Sequence, residues 1–182
     1  MSGVPVLSIL IALPLLAGII ALFQSPNGAR WNALVTTLVS FAIGIWMWTA
    51  FDPDGAQWQF TEHHPIGGGI AWALGIDGIA LMLIMLTLFL MPICIGASWR
   101  AIDKRVPEYM AAFLLMQALM IGVFTAQDLL LFYIFFEGGL IPMYLIIGIW
   151  GGGERIKASY KFFLYTLLGS VLMLIAMLAM IW

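Results

Sequence analysis

Charge is the scarcest ingredient of this sequence. Of its 182 residues, 9% are Asp, Glu, Lys or Arg, while 64% are hydrophobic. Soluble domains carry ~25% charged and ~45–50% apolar residues, so the composition excludes a water-facing surface and points to an integral membrane protein. Seven Lys and Arg against nine Asp and Glu give a net charge of −2, with no basic patch and therefore no nucleic-acid partner. Cys94 is the single cysteine, which excludes an internal disulfide or a cysteine-based metal site. It is expected to pack as a small apolar residue. The opening stretch, MSGVPVLSILIALPLLAG, has no Lys or Arg. A secretory signal needs a positive n-region, so a retained first span is expected. The two GGG stretches, at Gly67 and Gly151, lack the strand–loop–helix setting of a phosphate loop. Nucleotide, haem and iron–sulfur motifs are missing, and the twelve Met suit irregular helix packing rather than a cofactor box.

Long apolar runs are what the sequence has instead. They predict an all-α integral membrane protein, a single bundle of six transmembrane helices. The spans fall at about 4–23, 31–51, 75–99, 110–125, 129–150 and 156–182. SPNGAR reads as a turn after the first, and Asp52 to Gly69 as a polar loop between the second and third.

All seven basic residues lie in three connections. These hold Arg30; Arg100, Lys104 and Arg105; and Arg155, Lys157 and Lys161. They follow spans one, three and five and so share one side. The other side carries Asp52, Asp54, Glu62, Asp128 and both histidines. The positive-inside rule makes the basic loops cytoplasmic and the N-terminus outside. Trp46, Trp48 and Trp99 fall near span ends, as an interfacial belt requires.

The stretch Leu129–Trp150, LLLFYIFFEGGLIPMYLIIGIW, is apolar except for Glu137. That residue lies eight positions, ~12 Å, below the helix start. A carboxylate at such depth costs on the order of 2.5–3.5 kcal/mol on insertion scales, so it normally has a task and a partner. Its residues leave three roles open: proton relay, ion ligand, or buried structural carboxylate. Gly138 and Gly139 remove bulk beside it, which lets another helix approach. Pro142 has no N–H to give the Gly138 carbonyl. Tyr133 and Tyr144 share its face at helical spacing. Lys161 is the obvious cation to test, but depth counting separates it from Glu137 by ~11 Å. It snorkels to the interface or joins a polar path with Lys157 and Tyr165 on one face.

Bland accounts suit the remaining candidates. Asp77 and Asp128 stand where helix caps are expected. His63 and His64 are adjacent, so their side chains diverge and do not share a metal. Gln117, in mid-span, is expected to hydrogen-bond a neighbouring helix.

Three segments carry a family resemblance: GIDGIALMLIMLTLFLMPI from Gly75, DLLLFYIFFEGGLIPMYLIIGIWG from Asp128, and RIKASYKFFLYTLLGS from Arg155. They resemble the antiporter-like chain M, or subunit-4, family of NADH-quinone oxidoreductases. The subunits of multisubunit Na⁺/H⁺ antiporters share the glutamate but match the wording less closely. The resemblance implies a proton-translocating subunit of respiratory complex I that holds no cofactor of its own. NADH, FMN, iron–sulfur clusters and quinone would belong to other subunits. Its partners would be the lipid bilayer and the other membrane subunits, including homologous antiporter-like ones. Its membrane would be the bacterial plasma membrane, or the mitochondrial inner membrane as the alternative. Glu137 matches the family's glutamate on the fifth helix, whose partner is a lysine on a seventh. No seventh span is present, so the chain reads as the N-terminal part of a larger subunit, or as one piece of a split one.

Overall fold

The computed structural model describes residues 5–67 and 70–181. Six helices run in the order α1 (Val6–Leu22), α2 (Pro26–Ala50), α3 (Gly78–Ser98), α4 (Val106–Thr125), α5 (Leu129–Trp150) and α6 (Arg155–Ile181). All but α1 are long and apolar enough to cross a membrane. At 17 residues, or ~25 Å, α1 sits at the short end of the spanning range. The expected start at Val4, the expected end at Trp182, and Gly68 and Gly69 of the first GGG lie outside the described residues.

Two helices begin earlier than the apolar runs suggest. α2 starts at Pro26 rather than near residue 31, because Ser25 caps it by accepting from the Gly28 N–H at 3.3 Å and proline suits a first-turn position. α4 starts at Val106 rather than 110, with Pro107 again in the first turn.

The segment expected to be a polar loop is largely sheet. β1 (Gln59–Gly67) and β2 (Ile70–Ile76) form an antiparallel hairpin, with Glu62 opposite Leu74 and His64 opposite Trp72. β2 alternates large Trp72, Leu74 and Ile76 with small Ala71, Ala73 and Gly75, the period of two of a strand, and residues 73–76 are buried on both faces. The third helix therefore starts at Gly78, and Gly75–Asp77 belong to the strand and the cap.

Short connections make successive helices antiparallel. α1, α3 and α5 thus begin at the hairpin end of the bundle, and α2, α4 and α6 begin at the basic end. α4 is central and packs on α1, α2, α3 and α5, whereas α6 packs on α5 alone among the described helices. At the hairpin end Leu7, Leu10, Leu74, Ile76, Ile84 and Ile121 are fully buried. At the basic end the contact is made by small residues at four-residue spacing, Ala17 and Ala21 facing Ala29 and Ala33. Such residues let backbones approach where lipid supplies no hydrophobic drive for helices to associate. Arg30 crosses this end, donating from Nη2 to the Ile102 carbonyl at 2.8 Å beside Asp103.

Candidate functional site

α5 presents two faces. Phe135 and Gly138 look toward α4, where a Cβ on Gly122 would meet the Phe135 ring at 2.6 Å and a Cβ on Gly138 would meet Leu119 at 3.2 Å. Gly139, by contrast, has nothing within 4 Å of its would-be Cβ. Close approach beside the carboxylate is therefore the work of Gly138, not of both glycines.

The second face carries Tyr133, Glu137, Tyr144 and Gly148 and looks toward α6. Tyr144 packs against Tyr160 and Phe163, with ring centroids 6.1 and 5.5 Å apart. Gly148 lies against Ser159. Extending this antiparallel register two turns puts Glu137 level with Gly169 and Ser170. Ser170 is buried and its hydroxyl donates to the Leu167 carbonyl at 3.0 Å. Glu137 Oε2 is buried with no hydrogen-bond partner among the described residues.

Lys161 is elsewhere. The same register sets it level with Ile146, nine residues or ~14 Å along α5 from Glu137. It is exposed, and it borders a shallow surface groove with Tyr165 and Leu168 on the face of α6 turned away from α5. Lys157 is also exposed and pairs with Glu154 at 3.4 Å. Glu137 and Lys161 thus differ in depth and in face, and the structure does not bring them together.

Gln117 departs from expectation. It is fully buried on α4, yet neither its Oε1 nor its Nε2 has a partner among the described residues. The Ser40 hydroxyl on α2 is likewise buried and unpaired. Cys94 is half-buried on α3. His63 and His64 are exposed neighbours on β1, so they point to opposite faces of the hairpin.

The hairpin end carries a polar construction that the apolar pattern did not reveal. Pro5 stands at the N-cap of α1 with no side-chain acceptor to offer, so the first N–H groups need one from elsewhere. Glu62 supplies it from β1. Its Oε1 accepts from the Leu7 N–H at 2.8 Å, and the Ser8 N–H lies 3.3 Å from both carboxylate oxygens. The Ser8 hydroxyl also donates to Oε2 and accepts from Trp72 Nε1 at 2.8 Å. The Trp72 ring then packs on Phe135 of α5, 5.8 Å between centroids.

Asp77 and Asp128 complete the pattern. Asp77 accepts from the Ala80 N–H at 2.7 Å at the start of α3. Asp128 accepts from Leu130 and Leu131 at 2.8 and 3.1 Å at the start of α5. Its other oxygen accepts from Ala71 of β2 at 3.2 Å. All three helix starts at this end thus face a carboxylate, the favourable charge for a helix N-terminus. For Asp128, burial on its own raises the carboxyl pKa. The N–H groups of Leu131, Ala71 and Leu130, with His63 nearby, outweigh it and hold the pKa below the ordinary 3.8. The Gln127 N–H donates to the Ala73 carbonyl at 2.8 Å, tying the α4–α5 corner to the hairpin.

Comparison with known proteins gives these features a setting. Residues 7–126 match the family described as NADH-ubiquinone oxidoreductase chain 4, amino terminus. Residues 126–182 match one described as NADH:quinone oxidoreductase/Mrp antiporter, TM. NADH-quinone oxidoreductase subunit M of Rhodobacter capsulatus is 52% identical over 96% of this chain and 35% of its own length. NADH-ubiquinone oxidoreductase chain 4 of Arabidopsis thaliana is 46% identical over 94% of this chain and 36% of its own. A chain of respiratory complex I from Thermus thermophilus with bound NADH superposes with a TM-score of 0.77 at 33% identity, covering 94% of this chain and 35% of that one. The chain spans about a third of the length of the relatives it matches.

Proposed function

We propose that this chain, which belongs to the NADH-ubiquinone oxidoreductase chain 4 (NADH-quinone oxidoreductase subunit M) family, is part of a proton-translocating membrane subunit of an NADH:quinone oxidoreductase. Glu137 is half of a relay pair in the middle of the membrane, and its lysine lies on a helix outside these 182 residues. The observation that carries this reading is Glu137 Oε2, buried in an apolar helix with no partner among the described residues. An acid kept at that depth without a partner is hard to account for unless charge moves through it. A lysine brought close would hold the carboxylate ionised, and its withdrawal would favour proton uptake.

Lys161 acts at a distance from Glu137. On the outer face of α6 it contributes with Lys157 and Tyr165 to a polar path near the basic end. The basic end is cytoplasmic and the hairpin end lies outside, which follows from the loop charges. NADH, FMN, iron–sulfur clusters and quinone belong to other subunits, and the other membrane subunits are the partners. The membrane is the bacterial plasma membrane, with the mitochondrial inner membrane as the alternative. A second reading, a subunit of a multisubunit Na⁺/H⁺ antiporter, is favoured by the shared description of the family matched over residues 126–182.

Glu137→Gln in the assembled complex tests the relay. Proton uptake by vesicles should fall to near background while the complex still assembles. Full pumping by an assembled Gln variant would refute the relay role. Pumping driven by NADH oxidation, rather than by a Na⁺ gradient, separates the first reading from the second.

A further inference from the structure

α5 and α6 meet along one seam. On α6 the buried residues Ser159, Ser170 and Met177 recur after eleven and seven positions. Eleven residues are three helical turns and ~20°, and seven are two turns less ~20°, so the three stand in one line. Tyr165, Leu168 and Leu172, on the opposite side of α6, are exposed. Among the described helices α6 packs on α5 alone, so the buried line faces α5. On α5, Tyr144 packs on Tyr160 and Phe163, and Gly148 lies against Ser159. These two residues stand seven and eleven positions after Glu137. The same arithmetic sets Glu137 between them, at the centre of the face turned to α6.

One contact fixes the level. A Cβ on Gly148 would lie 3.3 Å from Ser159 Oγ and 3.6 Å from its Cβ. In an antiparallel pair, eleven residues back along α5 match eleven residues onward along α6. That step leads from Gly148 to Glu137 and from Ser159 to Ser170. The two side chains stand opposite each other on the seam. Ser170 is 2% exposed and Glu137 Oε2 is buried, so these six helices by themselves shield both from solvent.

The chemistry of the two groups is complementary. Oε2 has no hydrogen-bond partner among the described residues. Ser170 donates its one O–H to the Leu167 carbonyl of its own helix at 3.0 Å. A hydroxyl has one proton to give and two lone pairs that accept, and it rotates to suit. Its bond to a carboxylate is about twice as strong as its bond to a neutral carbonyl. We infer that Ser170 is a positioning residue for Glu137, its O–H turning from the Leu167 carbonyl to Oε2 whenever the carboxylate is charged. On protonation the carboxyl O–H donates to Ser170 Oγ, and the serine O–H returns to the Leu167 carbonyl. The serine keeps its own proton in both states, so it orients the acid without carrying charge. The positioning role rests on the relay reading of Glu137, whereas the contact does not.

The test uses the assembled complex containing the full-length subunit. Glu137→Cys combined with Ser170→Cys should form a disulfide on oxidation, since facing Cβ atoms spaced as at Gly148 and Ser159 suit one. Glu137→Cys combined with Gly169→Cys, ~100° round the helix, should not. The infrared carboxyl band that Glu137→Gln removes should move to higher frequency in Ser170→Ala, as a carboxyl band does on losing a hydrogen bond. Ser159→Ala, the same change ~16 Å along the seam, should leave it in place. Ser170→Thr, which keeps the hydroxyl, should restore it. Proton pumping should fall about tenfold in Ser170→Ala, the effect of losing one hydrogen bond to a charged group, and recover in Ser170→Thr. An unmoved band in Ser170→Ala, or a cross-link that prefers Gly169 to Ser170, would overturn the contact. A moved band with undiminished pumping would overturn the positioning role. Full pumping by Glu137→Gln would instead overturn the relay reading, and it is told apart because the cross-link and the band shift persist.

Discussion

The carboxylate of Glu62 accepts a hydrogen bond from the main-chain N–H of Leu7 at 2.8 Å, across 55 positions of sequence. A strand thereby closes the end of a helix that has no acceptor of its own. The Ser8 hydroxyl and the Trp72 indole extend that contact to both strands of the hairpin, and Trp72 carries it to Phe135 on the helix of Glu137.

Glu62→Ala should destabilise the chain by about 1–3 kcal/mol, because it orphans the Leu7 and Ser8 donors at a buried helix end. Glu62→Gln keeps one acceptor and should cost less. Thermal unfolding in detergent orders the two. Equal midpoints for wild type and Glu62→Ala would rule out the cap.

Asp128 makes stability depend on acid. Its folded pKa lies below the ordinary 3.8, so the ionised form is the one that folding favours. Its contribution is complete above the unfolded value and is lost as pH falls through the folded one. Between pH 6 and 5 the stability difference between wild type and Asp128→Asn should be constant. Below ~pH 3.9 it should shrink. A difference that grows on acidification would show the sign to be wrong.

The two glycine environments on α4 and α5 should answer oppositely to alanine. Gly122→Ala drives a methyl into the Phe135 ring at 2.6 Å and should cost about 1–3 kcal/mol. Gly139→Ala meets nothing within 4 Å and should be neutral or stabilising by up to ~1 kcal/mol, the helix preference for alanine. Unfolding midpoints of the two variants, measured side by side, decide it.

Gln117→Leu should not destabilise the protein. The native amide is fully buried with both polar atoms unpaired among the described residues, and an apolar side chain of similar size removes that desolvation cost. A gain of ~1 kcal/mol is expected. A loss above that size would mean that the amide is satisfied by bound water.

The helices were legible because lipid imposes a length on every apolar run. Leu129–Trp150 could be read to the residue, since Asp128 and Gly151 bracket it. The starts of α2 and α4 were missed where capping and proline chemistry, not hydropathy, set the boundary at Ser25–Pro26 and Arg105–Pro107. The hairpin was legible in principle, from the alternation Trp72, Leu74, Ile76. It was hidden by the polar residues before it. Glu137 announced itself as one charge in 22 residues. Glu62 gave no local sign, because its role depends on a proline 57 positions earlier that cannot cap its own helix.

The Glu62–Leu7 contact also sets an order of assembly. Synthesis proceeds at ~5–20 residues per second, so Glu62 leaves the ribosome's catalytic centre roughly 3–11 s after Leu7. For that interval the first helix has no lock at its start. Only when α2 has crossed back and the strand arrives can Glu62 close that end.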